Sequence, residues 1–187
     1  MNSLSQLVLK ATIPGVPDFY QGTEFWDLSL VDPDNRRPVD FAARAAGLEQ
    51  TGTGIDWREL AAHWRDGRIK LALTQRLLAL RQAMPALFNE GDHQSVEVSG
   101  EQRDHVVAFT RSRGRQRMLV VVARHFAPLT SGGTQWFSGL RNADLDMDAA
   151  ALSGFRDALG TMPRPELSGA NVAQLFGALP VAVLRSP

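Results

Sequence analysis

Asp18, Glu24, Asp27, Asp32 and Asp34 crowd into one stretch, with Arg36 and Arg37 close behind. Two carboxylates facing each other across a sugar would make a glycosidase acid/base pair. The same residues suit a loop whose acids close turns and whose arginines hold them by ion pairs. Spacing along a loop says nothing about separation in space, so the residues by themselves favour the plain loop. Tyr20, Phe25 and Trp26 stand beside polar side chains as a sugar-stacking surface would, although aromatic residues are more often core. The histidines (His63, His93, His105, His125) are scattered, and no two share a helix face at the spacing a metal needs. The chain has no cysteine, which excludes thiol catalysis, a disulfide scaffold and cysteine-ligated metal. It has no nucleophile elbow, P-loop or dinucleotide fingerprint. Neither a metal nor another cofactor is expected.

The elements around these residues change style near residue 92. Ser3 is expected to cap a short helix with Leu4, Leu7, Val8 and Ala11 on one side, stopped by Pro14-Gly15. Pro17 pushes Val16 out of helical space, so Val16 to Tyr20 reads as a short extended segment. Gln21 to Pro38 lacks periodicity and carries the turn signal Asp32-Pro33-Asp34-Asn35. Ordered loops of this length are commonly functional.

Asp40 and Asp56 are expected caps of the next two helices, the second with Glu59 in a capping-box pattern. Trp57, Leu60, Ala61 and Trp64 make an apolar stripe that Gly67 closes. Ile69, Leu73, Leu77, Leu80 and Met84 make the clearest stripe, with Lys70, Gln75, Arg76 and Gln82 away from it, and Pro85 ends that helix.

From residue 93 the period becomes two. Val107 and Phe109 face one way, Val106 and Ala108 the other, and Met118 to Ala123 reads as a strand buried on both faces. Ser112 to Gln116 is a hairpin loop. Further strands are expected at 135–137, 155–159, 172–176 and 181–184, making a small antiparallel sandwich with a core of Val107, Phe109, Leu119, Val121 and Leu175. Residues 144–152 read equally as a helical turn or a loop.

The 187 residues carry 20 basic and 20 acidic side chains, so the formal charge is zero. That balance argues against nucleic acid or an anionic membrane as partner. No apolar run reaches the length of a membrane span, and the start lacks the pattern of a secretory signal. A cytoplasmic location is the expectation.

The segment Thr12 to Glu24 (TIPGVPDFYQGTE) resembles the eighth-strand motif PG-x-P-x-x-Y-x-G-x-E of the alpha-amylase superfamily. Trp26 to Phe41 (WDLSLVDPDNRRPVDF) is more specific and resembles the maltooligosyl trehalose synthase family within it. Leu77 to Arg81 with Pro85, Ala86, Leu87 and Gly91 looks like the helix leading into that family's C-terminal sheet domain. Leu175 to Leu184 (LFGALPVAVL) is similar to its C-terminus. The likeness is weakest over residues 125–170.

The resemblance implies an α+β chain: the end of a (β/α)8 barrel, its last strand and helices, at residues 1–92, then a C-terminal antiparallel β-sandwich domain at 93–187. It implies a C-terminal fragment of a larger enzyme, which turns the reducing-end α-1,4 bond of a maltooligosaccharide into an α,α-1,1 bond by intramolecular transglycosylation. The family's Asp nucleophile, Glu acid/base and stabilising Asp belong to earlier barrel strands, so no residue here is assigned a catalytic role. The candidates for contact with substrate are Tyr20, Gln21, Glu24, Trp26, Asp32, Asn35, Arg36 and Arg37.

The implied partners are the maltooligosaccharide and the missing N-terminal barrel. Without that barrel the helix of Leu4, Leu7 and Val8, together with Val16 and Phe19, is expected to expose apolar surface, fray or self-associate. The rival readings are a fragment of another alpha-amylase-type glucan hydrolase or transferase, and a non-catalytic carbohydrate-binding or structural β-sandwich module. The last would need an exposed aromatic platform, for which Trp136-Phe137 is the candidate pair.

Overall fold

The computed structural model describes residues 1–30, 32, 36–52, 54–162 and 170–186. Helices come first: α1 (Asn2–Thr12), α2 (Phe41–Thr51), α3 (Trp57–Ala62), α4 (Arg68–Ala83) and α5 (Pro85–Glu90). There follow β1 (Asp92–Val96), β2 (Val98–Ser99), β3 (Val106–Arg113), β4 (Gln116–Ala123), β5 (Asp144–Leu145), α6 (Ala149–Leu152), β6 (Arg156–Asp157), α7 (Val172–Leu175) and β7 (Val181–Arg185). The chain is α+β with an antiparallel main sheet in the order β1-β3-β4-β7-β6, and a separate ribbon of β2 and β5. Among the described residues no helix is long and apolar enough to cross a membrane.

Alternation along the central strands sorts the core into two layers. Phe109, Met118, Val120, Val122, Val181 and Val183 face the helices. Val106, Ala108, Leu119, Val121, Ala182 and Leu184 face the other way. The five residues expected to form one sheet core therefore divide between the layers. Val107 and Phe109 pack with the helices, while Leu119, Val121 and Leu175 lie on the far side. The helix-side layer also holds Leu4, Val8, Ile69, Leu73, Leu77 and Leu87, so one core runs across residue 92. The β3–β4 hairpin closes on Gly114-Arg115, with Gly114 at φ +59 as the first position of a type II′ turn requires.

On the far face, loops and short pieces cover the sheet instead of a second full sheet. Phe126, Phe137 and Phe176 meet edge to face, with centroids 5.8 and 5.7 Å apart. Residues 135–137 form no strand. Of residues 172–176, expected as a strand, 172–175 form α7, because the Asn171 side chain caps the Ala173 N–H and Val172 and Leu175 bury at helical spacing. The strand expected at 155–159 shortens to β6. There Asp157 accepts from the Leu159 and Met162 N–H groups at 2.9 and 2.6 Å and turns the chain. Residues 144–152 divide between β5 and α6.

Asp40 and Asp56 cap α2 and α3 through Ala43 N–H and through the Arg58 and Glu59 N–H groups. Ser3 does not cap α1. The helix already starts at Asn2, after Met1, and Ser3 lies within it. The α1 stripe expected to be bare is covered: Leu4 and Val8 are 0% exposed, because α1 lies between α4 and strands β4 and β7. Ser5 Oγ donates to the Ala123 carbonyl at 2.7 Å and pins the helix to the sheet.

Candidate functional site

The candidate loop leaves the C-terminus of α1, and two arginines hold that end. Arg81 donates to the Ala11 carbonyl at 2.7 Å, and Arg111 to the Thr12 carbonyl at 2.8 Å. Both satisfy carbonyls that the helix leaves unpaired and place positive charge at the negative end of its dipole. Val16 to Tyr20 carries no strand ladder: a parallel barrel strand needs neighbours on both sides, and among the described residues none pairs with it. Tyr20 to Thr23 is a tight turn, in which Thr23 Oγ1 donates to the Tyr20 carbonyl at 2.7 Å and Gly22 sits at φ +90.

Beyond that turn the loop docks on the helices. Glu24 pairs with Arg44 of α2, 2.7 Å between Oε2 and Nε. Phe25 lies against Gly47 and Gly67, where an added Cβ would come within 3.2 Å and 3.1 Å of it, so side chains at both positions would lift the loop. Lys70 Nζ donates to the Phe25 carbonyl at 3.0 Å. Trp26 Nε1 donates to the Trp64 carbonyl at 2.6 Å. The Trp26, Trp64 and Trp136 rings follow one another at 6.4 and 6.1 Å. Trp26 therefore joins a half-buried aromatic row. Trp136, the rival reading's platform residue, stands in the same row, and its partner Phe137 is buried.

Past Trp26 the loop projects. Ser29 N–H donates to Asp27 Oδ1 at 2.9 Å. The Ser29 hydroxyl and then its N–H hold the Asp27 carboxyl below the usual carboxylate range, with smaller help from Lys70 and Arg37. Arg36 faces Asp32 through two contacts of 2.5 and 3.0 Å, with side chains 70% and 57% exposed. Arg37 and Gln21 are exposed. Asn35 and the neighbouring Asp34 lie outside the described residues.

A cleft of about 390 Å³ opens between α1, α4 and the start of the loop, lined in part by Lys10, Asp18, Phe19, Tyr20, Glu24 and Lys70. Lys10 Nζ stands over the Phe19 ring at 4.5 Å. Burial and then the charge of Lys10 push the Lys70 ammonium down from the ordinary lysine value, against the pull of Asp27 and Glu24. Donors, acceptors and aromatic faces in one cleft suit a polyhydroxylated ligand. No cluster among the described residues could hold a metal ion. Of the residues singled out from sequence, the cleft brings Tyr20 and Glu24 together. Trp26 faces the aromatic row, and Asp32 and Arg36 pair on the projecting arm.

No protein-family model matches the chain. Proteins from two strains of Mycobacterium tuberculosis, provisionally named maltooligosyl trehalose synthases, are each 36% identical to it over 183 residues, which is 98% of this chain and 20% of theirs. The chain is a homologue of part of maltooligosyl trehalose synthase. It spans about a fifth of the length of the curated relatives it matches. The solved maltooligosyltrehalose synthase of Arthrobacter ramosus is 34% identical, with a TM-score of 0.70 over 98% of this chain and 22% of that one. The part matched is C-terminal. A maltogenic alpha-amylase from Thermotoga neapolitana, 13% identical with a TM-score of 0.52 over 98% of this chain and 33% of that one, shares the fold alone.

Beside this likeness to maltooligosyl trehalose synthase stands one surface feature. Val16, Leu28, Leu30 and Phe41 are 99%, 92%, 79% and 61% exposed, all around the candidate loop. Sequence reasoning missed Arg44, Lys70, Arg81 and Arg111 as its supports. Lys70 lies away from the apolar stripe of α4, yet it is half-buried under the loop. The remaining signal was thin: Arg44 follows the cap Asp40 by one helical turn, and its Nη1 donates back to the Asp40 carbonyl.

Proposed function

We propose that the chain supplies the end of a (β/α)8 barrel and its following sheet domain to a maltooligosyl trehalose synthase, a cytoplasmic enzyme. The carrying observation is the 36% identity to such proteins over 98% of the chain. The division is residues 1–92 for barrel end, site loop and linking helices, and 93–187 for the sheet domain. It follows origin within the enzyme, because the two parts share a core. The exposed Val16, Leu28, Leu30 and Phe41 are then covered by the preceding polypeptide.

The reaction of the longer enzyme is the transfer of a glucosyl bond within one maltooligosaccharide, from α-1,4 to α,α-1,1. The released glucose must stay, turn and attack the glycosyl carbon held on the enzyme with its own C1 hydroxyl, displacing the carboxylate nucleophile, before water does so. In barrel enzymes the loops after the strands build the active face. The segment from Tyr20 to Arg37 serves that face: Tyr20 offers a ring and a hydroxyl, and Arg36, Arg37, Gln21 and Asn35 offer donors to sugar hydroxyls. The nucleophile and the acid/base belong to the longer polypeptide.

The test is an assay with maltopentaose. The full-length enzyme carrying this chain forms trehalose-ended product, and the isolated chain forms neither that product nor glucose. Turnover by the isolated chain that survives repurification would place the catalytic groups inside it and end this reading.

A further inference from the structure

Glu24 closes the motif that resembles the eighth barrel strand and is among the candidates for contact with substrate, but its carboxylate is engaged elsewhere. Oε2 accepts from Arg44 Nε at 2.7 Å. The same guanidinium donates from Nη2 to the Gly22 carbonyl at 2.5 Å and from Nη1 to the Asp40 carbonyl at 2.9 Å. It also lies over the Phe25 ring, 5.2 Å from its centroid. One side chain thereby ties two points of the loop to the start of α2. The pair is largely covered, with side chains 17% and 30% exposed, which sets it apart from the exposed Asp32–Arg36 pair. A planar fork with several fixed acceptors orders a loop better than a flexible ammonium does.

We propose that Arg44 is a positioning residue. It holds Gly22 and Glu24 so that the Tyr20–Thr23 turn keeps one shape, and Glu24 acts through Arg44 instead of binding sugar. This rests on the reading that the loop borders the site of a glucan mutase. An intramolecular transfer depends on retaining glucose, and a loop that opens admits water and lets glucose leave. The property that should respond is therefore the partition between trehalose-ended product and free glucose.

Two measurements test this. In the chain itself, Arg44→Gln should speed amide exchange at Thr23, whose N–H donates to the Tyr20 carbonyl, by about tenfold while β4 amides stay unchanged. Arg44→Lys should show a smaller rise. In the full-length enzyme, Arg44→Gln and Glu24→Gln should each raise the ratio of glucose to trehalose-ended product by about threefold, and the double variant should add nothing. Loss of folded enzyme lowers both products alike and leaves the ratio unmoved. Unchanged exchange at Thr23 overturns the brace. Faster exchange with an unchanged ratio overturns its link to the reaction. Multiplying effects in the double variant would make Glu24 a ligand in its own right and overturn its role through Arg44. A full-length enzyme that forms neither product overturns the functional reading instead, and the exchange result then decides the brace alone.

Discussion

Arg111 on β3 donates from Nη1 to the carbonyl of Thr12, the last residue of α1, at 2.8 Å across 99 positions of sequence. Its other donors reach the carbonyls of Asp92, Leu87, Phe88 and Gly91. The side chain is 1% exposed, so the end of α1, the end of α5 and the edge strand β1 all meet on one buried cation. Burial and then the nearby charge of Arg81 lower its affinity for its proton.

Arg111→Lys should therefore destabilise the chain by about 3 kcal/mol, because an ammonium cannot serve this many separated carbonyls and those left over are buried without partners. Urea unfolding checks this. A midpoint within error of the parent would mean that the carbonyl cage contributes nothing.

Leu4→Ala should cost about 3 kcal/mol, as for a fully buried leucine whose site cannot collapse. Amide exchange in α1 should match that in β4, since both belong to the helix-side core. Free exchange throughout α1 would restore the picture of a frayed N-terminus.

Breaking the exposed Asp32–Arg36 pair should hardly move stability. Arg36→Gln is expected to change it by less than about 0.5 kcal/mol. In the full-length enzyme, the proposed role of the projecting arm makes Arg36→Lys and Arg37→Lys lower kcat/KM or raise the glucose side product. If neither quantity changes, the arm has no part in the site.

Lys70 gives a pH signature. Its pKa is lower in the folded chain than in the unfolded one, chiefly through burial. Between those two values the unfolded state binds more protons, so stability rises with pH through the window just below the ordinary lysine value. The parent should gain stability on a Lys70→Met variant as pH climbs through that window. A flat difference would place the ammonium in water, and an opposite slope would mean that the fold favours its charge.

The helix stripes, the caps Asp40 and Asp56, and the alternation along β3 and β4 were legible because each depends on neighbours within a few residues. The family motifs of the loop were legible for a similar reason: a contiguous run carries them. The pieces between 135 and 176 were not. Short apolar runs fit a strand or a helical turn equally, and Asn171 and Asp157 decided between them through bonds to their own backbone.

By itself the sequence determined the helices α1 to α4, the central strands β3, β4 and β7, and which family the loop resembles. Only the tertiary structure decided what those elements do to one another. Both faces of β4 are apolar, so nothing along the strand says that α1 covers one of them and loops cover the other. Arginines and lysines read as surface charges until the fold brings backbone carbonyls to them. That is how Arg111 became buried and how Arg44 and Lys70 came to hold the loop. Trp26 stands in sequence as a sugar-stacking residue would, although aromatic residues are more often core, and its indole N–H is drawn to the Trp64 carbonyl because the fold places that acceptor within reach, 38 positions away.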